Sequence, residues 1–150
     1  MAIRVERVGH VVLKVKDLER AARFYRDVLG LKEVARATLG RPMAFFSTGQ
    51  NHHDIAVMEV GAEAPQPEPG AVGLYHVALK IGNSLDELRA AKAHLEAHGI
   101  KKLHVMDHRV SQSIYLNDPD GNGLELYVDT DPAIWRTDPR AVATAGPLRL

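Results

Sequence analysis

Apolar and polar residues alternate along 8–16. Val11, Leu13 and Val15 fall on one face, and His10, Val12, Lys14 and Lys16 on the other. A period of two predicts a strand with one buried side. The period then lengthens: Leu18, Ala21, Ala22, Tyr25, Val28 and Leu29 recur at helical spacing, with Asp17 placed as N-cap and Gly30 just past the helix end. Strands are predicted near 32–39 and 43–47, split by Gly40-Arg41-Pro42, and at 53–60 after the turn Thr48-Gly49-Gln50-Asn51. The segment 61–73, rich in Ala, Pro and Gly, reads as a linker.

After the linker the pattern restarts. YHVALKIGNS at 75–84 repeats GHVVLKVKD at 9–17, so that His76 lies 66 residues after His10 and Lys80 lies 66 after Lys14. Ser84 and Glu87 have capping-box spacing, Leu85, Leu88, Ala91 and Leu95 form a helical stripe, and Gly99 ends it. Strands follow near 102–107, 110–117 and 123–129. The last two flank Asn117-Asp118-Pro119-Asp120-Gly121-Asn122-Gly123, a run of turn-forming residues, and so predict a β-hairpin with Tyr115 opposite Glu125. Glu125 is 66 residues after Glu59, so the closing strands are expected to correspond as well. The chain thus reads as an internal duplication. The expected fold is α+β, with two tandem βαβββ modules forming a curved, cleft-enclosing mixed sheet within a single domain. Module one is 5–60, the linker 61–73, module two 74–129, and 130–150 a Pro-broken tail anchored by Trp135.

Composition narrows the function. Lys+Arg and Asp+Glu are both 19, a balance that argues against a nucleic-acid or anionic-membrane partner. The absence of cysteine excludes disulfides, thiolate catalysis and Cys-ligated zinc. With no apolar signal core at the N-terminus and no run of spanning length, a cytoplasmic protein is expected. If a helix covers one face of each module, the opposite faces line the cleft, and His10, His76 and Glu125 lie on them. Two imidazoles and one carboxylate on three strands form a facial set that leaves coordination positions open, as non-haem Fe(II) requires for O₂ chemistry. His94 and His98, four apart on the second helix, read as a solvated face, and Asp118–Gly121 as a turn that needs no ion.

The segments HVVLKVKDLERAARFYRDVLGL, YHVALKI and DPDGNGLELY together resemble the vicinal oxygen chelate superfamily over about residues 5–129. That superfamily includes glyoxalase I, type I extradiol dioxygenases, fosfomycin-resistance enzymes and bleomycin-resistance proteins. The resemblance implies metal ligands at His10, His76 and Glu125. Features of the single-domain extradiol dioxygenases (catechol 2,3-dioxygenase-like) are matched by HHDIAV at 52–57, with its acid–base histidine, by Tyr115 ten residues before Glu125, and by His108. Strand parity assigns the acid–base role to His53 rather than His52, provided that Glu59 mirrors Glu125 into the cleft. His108 has the wrong parity for the cleft unless the chain turns near Arg109.

The implied function is extradiol cleavage of a catecholic aromatic substrate by O₂, a reaction of aromatic catabolism. Fe(II) is the expected metal, with Mn(II), Zn(II) and Ni(II) as alternatives. His53 would act as acid and base and Tyr115 would hydrogen-bond a substrate oxygen, with His108 a further catalytic histidine beside them. Glu59 stands where glyoxalase I has a further carboxylate ligand, so a glyoxalase I-like lyase or isomerase is the alternative. A non-catalytic resistance-type binding protein is the third, disfavoured by the complete triad and by only eight Phe, Trp and Tyr residues. Exposed strand edges imply a homodimer or larger homo-oligomer.

Overall fold

In the computed structural model, which describes residues 3–150, the alternating segment forms β1 (Val11–Val15) and the helical stripe forms α1 (Leu18–Arg23). Then come β2 (Lys32–Thr38), β3 (Pro42–Ser47) and β4 (Ile55–Glu59), in the sheet order β1-β4-β3-β2 with β1 and β4 parallel. The second copy consists of β5 (Val77–Gly82), α2 (Leu85–Ala97), β6 (His104–Asp107), β7 (Ser111–Asn117) and β8 (Gly123–Asp129). Its order, β5-β8-β7-β6, repeats the first, with β5 and β8 again parallel. The fold is α+β and each module is βαβββ. The chain divides into two compact units, Met1–Val72 and Gly73–Leu150.

Each core lies between one helix and one face of its sheet. In the first unit Leu13, Val15, Phe46, Ile55 and Val57 are buried with Ala21, Ala22 and Tyr25 of the helical segment. In the second, Leu88 and Leu95 of α2 are buried with Ile114, Leu124, Leu126 and Val128. Burying a leucine side chain of this kind contributes about 2 kcal/mol, enough to hold each helix to its sheet. Asp17 caps α1 by accepting from Arg20 N at 2.8 Å. In α2 the Ser84 hydroxyl accepts from Glu87 N, and the Glu87 carboxylate reaches back to Asn83 N at 2.9 Å. The α1 spacing predicts one helix to Leu29. Instead the chain widens to a π turn over Phe24–Val28, with Leu29 N donating to Phe24 O. The wider turn brings two consecutive aromatics, Phe24 and Tyr25, into the core, and Tyr25 lies 5.7 Å from the Phe46 ring.

Three expectations are corrected. The strand predicted over 8–16 begins only at Val11, which leaves His10 just outside it. The 66-residue offset holds for the opening strands but fails for the closing ones. Val12 pairs with Ala56, and its repeat partner Ala78 pairs with Glu125, so the counterpart of Glu125 is Ala56 rather than Glu59. Glu59 pairs with Val15 and sits on the helix side of the sheet, where its carboxylate accepts from Leu18 N at 2.8 Å. It closes the N-terminus of α1. Trp135, on the short helix α3 (Ala133–Thr137), is half exposed under the Arg136 guanidinium and is not the buried anchor of the tail. The tail is instead held by buried Ala141 and by β9 (Gly146–Pro147), which adds a fifth strand beside β6.

The faces away from the helices have diverged. Register makes Val12, Met43, Phe45, Ala56 and Met58 the counterparts of Ala78, Ser113, Tyr115, Glu125 and Tyr127. The carboxylate and the hydroxyls belong to the second copy alone.

Candidate functional site

In the second unit the site is built on the hairpin β7–β8. Asp118 shapes the turn: one carboxylate oxygen accepts from Asp120 N and Asn122 N, each at 2.9 Å, and the other from the Asn122 amide at 2.8 Å. The tight register that results places Tyr115 directly opposite Glu125, and Ser113 on the same face. His76 precedes β5, whose parallel pairing to β8 sets Ala78 beside Glu125 and so brings His76 to the same side. Gly123 makes this approach possible. A β-carbon there would come within 2.4 Å of the Tyr75 carbonyl oxygen.

Glu125 is buried, with both oxygens engaged. His76 Nε2 lies 3.0 Å from Oε2, and the Ser113 hydroxyl donates to Oε1 at 2.5 Å. The other ring nitrogen of His76, Nδ1, is buried with no hydrogen-bond partner among the described residues. An orphaned buried nitrogen costs about 1–3 kcal/mol in a protein that has no use for it. A partly exposed imidazole and a buried carboxylate at this separation are a donor set that fits a divalent metal ion.

Beside this pair a second chain of groups fixes Tyr115. Its hydroxyl is 2.8 Å from His108 Nε2, and His108 Nδ1 is 2.9 Å from the Thr144 carbonyl oxygen. A carbonyl can only accept, so Nδ1 carries a proton, and in the neutral imidazole Nε2 accepts from the Tyr115 hydroxyl. Burial, then the nearby Glu125 charge, pushes the Tyr115 hydroxyl up to about 12, so it stays protonated at neutral pH. The turn that parity demands of His108 is present: Arg109 has φ +68°, stabilised by its N–H donating to Asp107 at 2.7 Å.

The first unit brings His10 and His53 together. Val11 N donates to Asp54 O at the start of the β1–β4 ladder, and the two imidazoles flank that start with centroids 4.2 Å apart. His53 stands in the loop before β4, so its placement comes from this ladder and not from a Glu59–Glu125 correspondence. Asp54 anchors the loop by accepting from Thr48 N at 2.7 Å, Thr48 Oγ1 at 2.9 Å and the Asn51 amide at 2.7 Å. The Phe45 ring packs edge-on against His53 at 5.3 Å. Burial, then the adjacent His10 and His52, lowers the His53 pKa and favours its neutral form. His52 is exposed, with its ring 6.5 Å from that of His10.

Of the six residues expected in the site, His10 and His53 therefore meet in one unit, and His76, Glu125, Tyr115 and His108 in the other. Taken unit by unit, no three His, Asp or Glu side chains among the described residues gather as a metal-holding group. Two contributors escape the sequence reading. Ser113 was available from parity, two residues before Tyr115 on the same face. The Thr144 carbonyl was not, because only the folded tail carries it to His108.

A family model described as the Glyoxalase/Bleomycin resistance protein/Dioxygenase superfamily matches residues 7–126. The catechol-2,3-dioxygenase of Bacillus subtilis is 34% identical over 132 residues, covering 87% of this chain and 44% of that protein. The biphenyl-2,3-diol 1,2-dioxygenase 3 of Rhodococcus globerulus is also 34% identical, over 125 residues covering 82% of this chain and 63% of its own length. The chain thus spans less than two thirds of either dioxygenase. Among solved structures, a glyoxylase/bleomycin resistance protein/dioxygenase domain from Frankia sp. EAN1pec superposes with a TM-score of 0.72 at 21% identity, over 84% of this chain and 99% of that one. With this order of strands in each module and this match over most of its length, the chain belongs to the glyoxalase/bleomycin resistance protein/dioxygenase superfamily.

Proposed function

We propose that the chain is an Fe(II)-dependent extradiol dioxygenase that cleaves a catecholic aromatic ring with O₂. The observation that carries this reading is the Thr144–His108–Tyr115 chain beside the His76–Glu125 pair, a tyrosine oxygen held in place next to a metal-type donor set. The similarity to two dioxygenases of aromatic diols supports it. In this reading His10, His76 and Glu125 hold the metal.

When bound, the metal lowers the pKa of a catechol hydroxyl and brings diol and O₂ together. The protein's own groups do the rest. Tyr115, its own proton engaged by His108, accepts from a catechol hydroxyl and keeps the diol oriented. His53 takes a hydroxyl proton and later returns one as the O–O bond breaks. Both oxygen atoms enter the product as the ring carbon–carbon bond beside the diol opens. Glu59, committed to the N-terminus of α1, has no part in a fourth-ligand arrangement of the glyoxalase I kind.

The test is anaerobic loading with Fe(II), followed by O₂ uptake with a panel of catechols. One O₂ consumed per catechol, with a yellow ring-opened product, is expected. His53→Phe lowers kcat about 10²-fold or more at unchanged metal content, while His10→Ala and Glu125→Ala lose the metal. Absence of uptake from fully loaded protein overturns the reading.

A further inference from the structure

The open end of the site in the second unit widens into a cleft of about 690 Å³, a volume suited to a substituted ring. Its lining is asymmetric in charge: Lys101 and Lys102 contribute to it, and no Asp or Glu does. Both lysines are exposed, and neither makes an ion pair among the described residues. They follow α2, where lysines often serve the last carbonyls of a helix. Here backbone groups do that work, since Gly99 N donates to Glu96 O and Ile100 N to Leu95 O, each at 3.0 Å. The two ammonium groups are therefore available to the cleft, whose remaining wall near them includes Tyr75, Leu103 and Met106. His76 and Tyr115 line the same cleft.

We infer that the substrate is a catechol whose ring carries a carboxylate side chain, with Lys101 and Lys102 binding that carboxylate. The diol end rests on the dioxygenase reading, and the anionic end on the cleft alone. An apolar wall holds a ring, and an uncompensated pair of cations in a cleft without carboxylates selects an anion. Lys101 and Lys102 determine specificity and take no part in the chemistry.

Binding separates the two ideas. Metal-free protein is titrated with phenylacetate and with uncharged phenylacetamide, followed by NMR. Phenylacetate is expected to bind about tenfold more tightly. The K101Q/K102Q double variant brings the two ligands to the same affinity, and K101R/K102R keeps the preference. Equal affinity in the parent, no binding of either ligand, or a preference that survives K101Q/K102Q overturns the inference. A preference that depends on the lysines, in a protein that consumes no O₂ with any catechol, supports the anion site and overturns the dioxygenase reading.

Discussion

With a neutral His108, a chain of two hydrogen bonds holds Tyr115 in place. Thr144 O accepts from His108 Nδ1, and His108 Nε2 accepts from Tyr115. A catechol hydroxyl arriving there meets a tyrosine oxygen already held as its acceptor. Tyr115→Phe is expected to lower kcat about tenfold or more with metal content unchanged, as measured by steady-state O₂ uptake beside metal analysis. His108→Phe should move kcat the same way through Tyr115, because it removes the acceptor that orients the hydroxyl. Glu59 makes the opposite kind of prediction. Its carboxylate satisfies Leu18 N at the positive end of α1, so Glu59→Gln should lower stability by about 1 kcal/mol in a urea melt and leave metal affinity untouched. A loss of metal in that variant would return Glu59 to the ligand set.

At the scale of elements, the hairpin β7–β8 positions most of what matters in the second unit. The Asp118 turn sets register, register sets Tyr115 against Glu125, and a one-residue slip would turn both away. The parallel strand β5 then delivers His76 only because Gly123 leaves room for the Tyr75 carbonyl. Gly123→Ala would force the two strands apart, with an expected loss of about 1–3 kcal/mol and weaker metal binding, since His76 moves with Tyr75. Gly73→Ala, where a β-carbon meets nothing within 4 Å, is the control that should change neither. Thermal melts with metal titration distinguish them. The element least legible beforehand is the tail. Its Pro-rich sequence says only that no long helix forms there. That Gly146 and Pro147 pair with Asp107 and Met106 depends on an open edge of β6, which no local pattern reveals.

Across the whole molecule, the two units share an order of strands but not a chemistry. The first presents Val12, Phe45, Ala56 and Met58 where the second presents Ala78, Tyr115, Glu125 and Tyr127. Metal held by the proposed ligands is expected to stabilise the folded chain. Chelation should lower the melting temperature, with metal at a hundred times its Kd contributing about 2.7 kcal/mol. In Glu125→Ala the melting temperature should no longer respond to metal. No helix among the described residues is long and apolar enough to cross a membrane.

Periodicity by itself determined most of the elements, the duplication, and the strand faces that carry Tyr115 and Glu125, because side-chain direction along a strand follows from counting residues. Counting failed where two strands from different places in the chain had to be aligned. The offset of 66 paired Glu59 with Glu125, while hydrogen-bond register paired Ala56 with it. Tertiary structure also decided the His108 turn at Arg109, the Thr144 carbonyl behind it, and the meeting of His10 with His53. Each depends on contacts between segments far apart in sequence, whose alignment is set by packing and ladder pairing rather than by the order of residues within either segment.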